Sequence, residues 1–340
     1  MVRKEGQLKL LTGDAPTYHR PDNHEHTLDR IRGLAFDVQG YTVHDGPGTR
    51  TLVFLSGCPI RCSWCSNPEG QLLIQRLVYK PGKCKACPLR CVEACRSHAI
   101  SVSKNETPPL RFDRNLCNNC DRFDCVKVCY TEALQVSGHW YTVQELMRIL
   151  ARDRQYWGSE GGVCFSGGEP LLQHQFIVAV LQACHQSYIH TALETCAHVP
   201  TSELLEVLPY VDWLFADIKH MNPDQHQRET GVDNALILHN IRRILDSGWN
   251  GRLVIRSPII PGFNDTRENA EGTAIFMKEI GVREINLLPF HRLGASKYEQ
   301  LGLPYTYAHH ESPSHDLMMT LRRVYEARGL ACYLGSDTPF

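Results

Sequence analysis

The stretch TLVFLSGCPIRCSWC, residues 51–65, places Cys58, Cys62 and Cys65 directly after a short run of β-forming residues. Cysteine thiolates are the usual protein ligands of iron–sulfur clusters. Three thiolates can hold three irons of a [4Fe–4S] cube and leave the fourth iron free to bind another molecule. An open coordination position separates a reactive metal site from a structural one. The stretch therefore predicts a reactive iron–sulfur site at the end of a strand.

From about residue 140, β-rich segments alternate with amphipathic segments, which predicts βαβ units and a parallel sheet. With six or more units, the sheet should curl into a partial or full α/β barrel whose chemistry lies at the carboxyl ends of the strands. Thr142 and Glu145 form a capping box at the start of the first helix. The predicted strands are 162–166, 191–196, 213–219, 252–260 and 284–290, and the predicted helices are 143–155, 171–187, 202–208, 234–247 and 266–280.

A cysteine-rich insert, residues 79–135, separates the two parts of the predicted barrel, 31–78 and 136–340. The insert contains two units of four cysteines, 33 to 34 residues apart. The first unit consists of Cys84, Cys87, Cys91 and Cys95, and the second consists of Cys117, Cys120, Cys125 and Cys129. In two-cluster ferredoxins, three cysteines of one unit and the last of the other hold each cluster. We expect a ferredoxin-like domain with two [4Fe–4S] clusters. Paired cysteines also suit tetrahedral zinc, although the ferredoxin order without a ligand histidine favours iron–sulfur.

Composition narrows the class of protein. The 340 residues carry a formal net charge of −1, which argues against a nucleic-acid partner. No apolar run approaches the roughly 20 residues that cross a membrane, and residues 1–30 read as an extension without a signal-peptide core. We therefore expect a cytoplasmic protein, where thiols stay reduced and grouped cysteines bind metal. The four isolated cysteines are expected to be small buried side chains, namely Cys164, Cys184, Cys196 and Cys332.

Further motifs surround the cysteine stretch and match a known family. The segment SGGEP, residues 166–170, follows a predicted strand, and its glycines should let the backbone approach a ligand closely. With this segment, the chain resembles the radical S-adenosylmethionine superfamily. It is similar in particular to the activating enzymes of glycyl radical enzymes, through HDGPGTR (44–50), NPE (67–69), DIKH (217–220), PGFND (261–265) and LPFH (288–291).

The resemblance implies S-adenosylmethionine bound at the Cys58–Cys65 cluster, three [4Fe–4S] clusters in total, and roles for ten further residues. Trp64 would lie near the adenine, unless it is a core aromatic. Gly167, Gly168 and Glu169 would hold the methionine amino group, and Glu194, Thr195 and Asp217 would bind a monovalent cation. The cofactor and the incoming glycine would be lined by Lys219, Arg256 and His291. The alternative for Lys219 is a structural salt bridge, and the alternative for His291 is a hydrogen-bonded histidine of the core.

The implied reaction is reductive cleavage of S-adenosylmethionine to a 5′-deoxyadenosyl radical that takes hydrogen from a glycine of a partner glycyl radical enzyme. A flavodoxin or ferredoxin would supply the electron. Segments 249–254, 285–298 and 331–335 resemble activating enzymes of arylacetate decarboxylases, above all that of 4-hydroxyphenylacetate decarboxylase. Alternatives are activation of phenylacetate or indoleacetate decarboxylase or of a glycerol, choline or isethionate lyase, a radical enzyme with another substrate, and a plain electron carrier.

Overall fold

The computed structural model describes residues 30–103 and 109–339. The expected N-terminal extension, residues 1–30, lies outside this range except for its last residue. No helix of the described ranges combines the length and apolarity that crossing a membrane requires.

The strands of the described residues form one large sheet and two small ones. In the large sheet the order is β13-β12-β11-β10-β9-β8-β2-β1-β7, while β3 pairs with β6 and β4 with β5. The bounds are β1 (Arg32–Thr42), β2 (Arg50–Leu55), β3 (Arg76–Tyr79), β4 (Ile100–Val102), β5 (Leu110–Phe112), β6 (Leu134–Ser137), β7 (His139–Thr142), β8 (Gly162–Gly167), β9 (His190–Thr195), β10 (Trp213–Asp217), β11 (Arg252–Ile259), β12 (Glu284–Pro289) and β13 (Ala331–Leu334).

Helices cover the outer side of the large sheet and support the small sheets. Their bounds are α1 (Arg90–Ala94), α2 (Arg114–Asn118), α3 (Asp124–Lys127), α4 (Val143–Asp153), α5 (His174–Gln186), α6 (Thr201–Val207), α7 (Pro223–Thr230), α8 (Ala235–Asp246), α9 (Arg267–Ile280), α10 (Ala295–Leu301) and α11 (His315–Glu326). Short 3-10 turns complete the connections, among them Pro68–Gly70 and Pro170–Gln173.

The large sheet is a partial barrel of the α/β class. From β2 through β8 to β13, neighbouring strands run parallel, as the alternating pattern predicts. At the other end β1 runs antiparallel to both β2 and β7, and the sequence pattern did not predict this pairing. The ordered sheet ends at β7 and β13, so the described strands leave the barrel open.

The sheet core has an inner and an outer layer. Inside the curve lie Leu52, Cys164, Ala192, Phe215 and Val254, one from each of five adjacent strands. Outside, side chains of the strands pack against the helices in two larger clusters, which together follow the sheet from α4 to α11. The four isolated cysteines are all buried, as expected. Burial of apolar surface on both faces explains why these strands read as nearly continuous hydrophobic runs.

The insert forms a compact unit of its own between β3 and β6. Its two small sheets and short helices enclose a separate core that contains cysteines of both units. The internal repeat is visible in the backbone, because left-handed residues recur 34 positions apart, Leu89 with Phe123 and His98 with Glu132. Such a conformation is uncommon for residues other than glycine. Its recurrence means that the two units share one local fold.

The capping box at the start of α4 is present. Thr142 Oγ1 accepts a hydrogen bond of 3.1 Å from the Glu145 amide, and the Glu145 carboxylate accepts one of 2.8 Å from the Thr142 amide. These bonds satisfy two amides that a helix terminus otherwise leaves open.

We expect Thr142→Ala to lower the free energy of unfolding by about 1 kcal/mol. The midpoint temperature of thermal unfolding, followed by circular dichroism, should fall by about 2–4 °C. Thr320→Ala is the control, because Thr320 is exposed within α11 and alanine is the better helix former there. Equal losses in both variants would show that the cap contributes nothing specific.

Candidate active site

The three cysteines of the 58–65 loop lie at the carboxyl end of β2, where the loop is held by backbone hydrogen bonds. The Gly57 amide donates to the Gly70 carbonyl at 2.7 Å, and the Arg61 amide donates to the Thr230 carbonyl at 2.7 Å. The loop is therefore fixed both to the turn that follows it and to the end of α7. Its sulfur atoms line the deep pocket at the strand ends.

Two glycines bring the neighbouring loop after β8 against this one. A Cβ atom on Gly168 would overlap the carbonyl oxygens of Gly57 and Gly70. Gly167 has a φ of +119°, and a Cβ there would overlap the backbone of Leu55. Both glycines also line the pocket, but the close backbone approach that requires them is to the cysteine loop. The glycines are therefore required for packing of the two loops, and their close approach to a ligand stays a prediction.

Glu169 lies beneath the pocket and connects the ends of β8 and β9. Its side chain is fully buried and accepts hydrogen bonds from Thr195 Oγ1 at 2.9 and 3.0 Å and from the Cys196 amide at 2.7 Å. Its own amide donates to the Gly57 carbonyl at 2.7 Å. This places the carboxylate behind the pocket wall, where it orients the residues that form that wall.

An ionic cluster forms the floor of the pocket. Glu194 accepts a 2.5 Å hydrogen bond from Ser166 Oγ and makes an ion pair with Arg256. The guanidinium also lies 3.8 Å from the carboxylate of Asp45 and stacks on the ring of Phe215 at 3.8 Å. Burial and the neighbouring Glu194 raise the pKa of Asp45 to about 7. Two carboxyl groups thus share one arginine, whose Nε is buried without a hydrogen-bond partner in the described structure.

Lys219 lies at the buried end of the pocket, and His291 lies at its exposed end. The Lys219 ammonium is buried and lies 2.5 Å from Asp217. Burial opposes its charge, but Asp217 and the nearby Cys62 outweigh that effect and raise the pKa of Lys219. His291 is exposed at the mouth, which rules out the alternative of a core histidine.

Trp64 is a core aromatic that also lines the pocket. Its ring is buried, lies 4.9 Å from that of Phe263, and belongs to an aromatic cluster with Phe290 and Tyr307. The same side chain lines the pocket beside the cysteines. A core aromatic therefore forms one wall of the candidate site.

The structure brings nearly all of the residues predicted for the radical site to one pocket. Its lining includes Cys58, Cys62, Cys65, Trp64, Gly167, Gly168, Glu194, Thr195, Asp217, Lys219, Arg256 and His291, whereas Glu169 lies behind it. They come from the ends of successive parallel strands, which is the edge where α/β barrels carry their chemistry. Three thiols with charges of both signs fit a cluster and a zwitterionic sulfonium ligand.

Sequence reasoning missed two side chains of this site, Cys196 in the pocket lining and Asp45 behind Arg256. Cys196 lies beside Cys58, and the hydrogen bond between the thiols lowers the pKa of Cys58 and raises that of Cys196. Its burial was expected, but its position was not, because a lone cysteine carries no pattern. Asp45 stands within the HDGPGTR segment, so the motif itself was the available signal.

The expected monovalent cation gains no support from these side-chain pairings. Glu194 is paired with Arg256, Asp217 with Lys219, and Thr195 with Glu169. The described ranges also bring together no three His, Cys, Asp or Glu side chains at the spacing of a single metal ion.

The cysteines of the insert group across the two units. One cavity is lined by the Cys95 group, defined as Cys95, Cys117, Cys120 and Cys125. Burial and the neighbouring Cys95 raise the pKa of Cys125 to about 12. Similarly, burial and Cys129 raise the pKa of Cys91, and Tyr79 lies beside Cys84, Cys91 and Cys129. We call Cys84, Cys87, Cys91 and Cys129 the Cys129 group. Each group combines three cysteines of one unit with the last of the other.

Comparison with known proteins identifies the family. The model of the radical SAM superfamily matches residues 115–271. A 4-hydroxyphenylacetate decarboxylase activating enzyme of Clostridium scatologenes is 45% identical over 312 residues, 91% of this chain and 99% of that enzyme. The chain belongs to the radical SAM activating enzymes of glycyl radical enzymes. The resemblance seen in the sequence is confirmed, and a glycyl radical enzyme is the protein partner.

Other members and the wider superfamily agree with this assignment. An isethionate sulfite-lyase activating enzyme of Oleidesulfovibrio alaskensis is 42% identical over 272 residues, 79% of this chain and 87% of that enzyme. The crystal structure of a radical SAM methyltransferase from Sphaerobacter thermophilus has a TM-score of 0.50 at 14% identity, covering 84% of this chain and 66% of that one. The methyltransferase thus shares its fold with this chain, and the radical SAM family implies S-adenosylmethionine and an iron–sulfur cluster.

The packing of Gly168 leads to a test of the site. In Gly168→Ala, the added methyl group overlaps backbone that cannot rotate away, so the 58–65 loop must move. We expect the affinity for S-adenosylmethionine, measured by calorimetry, to fall by about tenfold or more. Gly82→Ala is the control, since no atom lies within 4 Å of its Cβ. Unchanged affinity in Gly168→Ala would contradict the packing argument.

Proposed function

We propose that the pocket holds a [4Fe–4S] cluster on Cys58, Cys62 and Cys65 with S-adenosylmethionine beside it, and that the enzyme activated is an arylacetate decarboxylase. The observation that carries the first part is the convergence of the three thiols with paired charges of both signs at one edge of the barrel. The chemistry that such a cluster supplies is one-electron reduction of the sulfonium, which breaks its C5′–S bond.

The other residues of the pocket would bind and orient S-adenosylmethionine and the peptide loop. The backbone of Gly167 and Gly168, held in place through Glu169, would receive the methionine amino group. Arg256 and Lys219 lie where they can neutralise the ligand carboxylate, while Glu194 and Asp217 balance the positive charges. His291 at the exposed mouth is placed to meet the incoming peptide loop. A monovalent cation would have to displace existing ion pairs, and we propose the site without one.

For the insert, we propose a ferredoxin-like domain spanning residues 76–137, with one [4Fe–4S] cluster in the Cys95 group and one in the Cys129 group. The support is the duplicated backbone and the grouping of cysteines across the units, which is the ligand order of two-cluster ferredoxins. The boundaries are slightly wider than the 79–135 predicted, because β3 and β6 close the unit by pairing with each other. A flavodoxin or ferredoxin is the proposed electron donor.

The arylacetate assignment rests on similarity along the whole chain. The relative that activates 4-hydroxyphenylacetate decarboxylase matches 91% of this chain, and the isethionate lyase relative matches 79%. An activating enzyme contacts a peptide loop of its partner, so its sequence records that loop and the surrounding surface. We take the longer match as favouring an arylacetate decarboxylase, with 4-hydroxyphenylacetate decarboxylase first.

Metal content tests the three cluster sites. Anaerobically reconstituted protein should contain about 12 Fe per chain, four for each cluster. Replacing Cys58, Cys62 and Cys65 together by alanine should lower this to about 8 Fe and abolish cleavage of S-adenosylmethionine. Cys184→Ala, a buried cysteine far from every group, should keep the full content. Zinc instead of iron in the triple variant would overturn the assignment of the insert.

A spin-resonance panel tests the partner. The reduced enzyme with S-adenosylmethionine should produce a glycine-centred doublet in 4-hydroxyphenylacetate decarboxylase, with phenylacetate and indoleacetate decarboxylases as the other arylacetate candidates. Cys62→Ala should give no signal with any of them, because the reactive cluster cannot assemble. A doublet only with a glycerol, choline or isethionate lyase would refute the arylacetate partner while leaving the family assignment intact.

A further inference from the structure

The two repeated units of the insert carry different charges although they share one fold. From Lys80 to Cys95 there are four basic residues and one acidic residue, whereas Asp113 to Cys129 holds three of each. The difference is largest beside the first cysteines, where Lys83 and Lys85 flank Cys84 and are exposed. The two units therefore present surfaces of different charge to a partner.

The Cys95 group lies on the side of the insert that faces the barrel. Arg114, next to Cys117, donates to the Leu77 carbonyl at 2.7 Å and to the Gln300 carbonyl of α10 at 3.0 Å. Its guanidinium also fills the space in front of Gly302, where a Cβ would come within 2.8 Å of Nε. The second unit is thus attached to α10 through an arginine that has no counterpart in the first.

Helix α10 continues this contact to the radical site. Tyr298 of α10 is buried and lies near Cys65, with its ring stacked on that of Tyr305 at 4.3 Å. Lys297, its neighbour, makes a 2.7 Å ion pair with Glu69 just after the cysteine loop. Arg114 and α10 therefore lie between the Cys95 group and Cys65.

The Cys129 group lies farther along β3, away from the barrel. Leu77 lines the cavity of the Cys95 group, and Tyr79, two residues later, lies beside Cys84 and Cys129. Two strand residues span about 7 Å. The chain that leaves the barrel at Arg76, whose side chain donates to the Pro68 carbonyl at 3.0 Å, therefore passes the Cys95 group first.

The surface around the Cys129 group has the character of a docking site. Tyr130, directly after Cys129, is 73% exposed, the largest exposure of an aromatic next to any of the cluster cysteines described. Lys83 reaches the same loop through a solvent-exposed 3.5 Å contact with Glu132. Lys85 is also exposed beside Cys84, so an aromatic ring lies on a surface with two lysines and one carboxylate, and the excess of cations suits a negatively charged protein surface.

We propose that electrons enter at the Cys129 group from a small acidic electron-carrier protein docked on Lys83, Lys85 and Tyr130, and leave through the Cys95 group toward Cys65. The proposal rests on the cluster assignments of the proposed function and adds their order and the docking surface. In each transfer the carrier is oxidised by one electron and one cluster is reduced by one, with no bond made or broken. The first cysteine unit follows the radical motif directly in the sequence, but its cluster in the Cys129 group is then the first to receive the electron and the more distant from Cys65.

Charge reversal on the two units tests the entry surface. In the anaerobic holoenzyme, Lys83→Glu with Lys85→Glu should slow cluster reduction by reduced flavodoxin about tenfold or more at low salt, as loss of electrostatic steering does. The readout is the bleaching of cluster absorbance in stopped flow. Arg122→Glu with Lys127→Glu, an equal charge change on exposed residues of the second unit, is the matched control and should stay near the original rate. Equal slowing in both, or slowing only in the control, would overturn the entry surface.

Removing one cluster at a time tests the order. Cys87→Ala and Cys120→Ala are equivalent positions of the two units, and each disables one group. With flavodoxin as donor, Cys120→Ala should let spin resonance detect a reduced Cys129 group but no reduced Cys58–Cys65 cluster, whereas Cys87→Ala should block reduction of both remaining clusters. The reverse pattern would overturn the order. Iron content distinguishes a wrong transfer order from wrong cluster sites. Fewer than about 12 Fe in the unaltered protein would contradict the three cluster sites of the proposed function.

Discussion

The buried carboxylate of Glu169 is the constraint on which the site depends. It receives hydrogen bonds from the end of β9 while its own amide holds the loop after β2, so three adjacent strand ends are fixed to one another. A buried charge of this kind is tolerated because several donors satisfy it. Glu169 thus links the cysteine loop to the ends of β8 and β9, although it does not itself line the pocket.

Much of the fold was predictable because both faces of the central strands are buried. The five predicted strands and the first helix with its cap lie where hydrophobic pattern and capping chemistry put them, within one or two residues. The antiparallel β1 and β7 and the polar helix α7 were not predicted. The sequence of α7, PDQHQRET, has too few apolar residues to show a helical period, and edge pairing depends on tertiary contacts that no local pattern records.

The site residues were predictable where a motif spans several positions, and less so where one side chain acts alone. Spacing predicted the groups of cysteines that the structure brings together, and the family resemblance supplied Arg256 and His291 of the pocket lining. Local pattern could not reveal that Cys196 lies beside Cys58, because that contact joins the ends of β2 and β9. It also could not reveal that Glu194 and Asp217 are already paired with basic residues, which depends on the distances across the barrel floor.

The pairing of β3 with β6 makes the insert a removable module. Arg76 and Ser137 face each other in this small antiparallel sheet, so the chain leaves and re-enters the barrel about 5 Å apart. Joining these two ends by a tight turn would restore a continuous barrel without disturbing any strand of the large sheet. The whole insert, for which we propose the electron-relay role, can therefore be gained or lost in a single event, and protein engineers can transplant it between barrels that share this exit point.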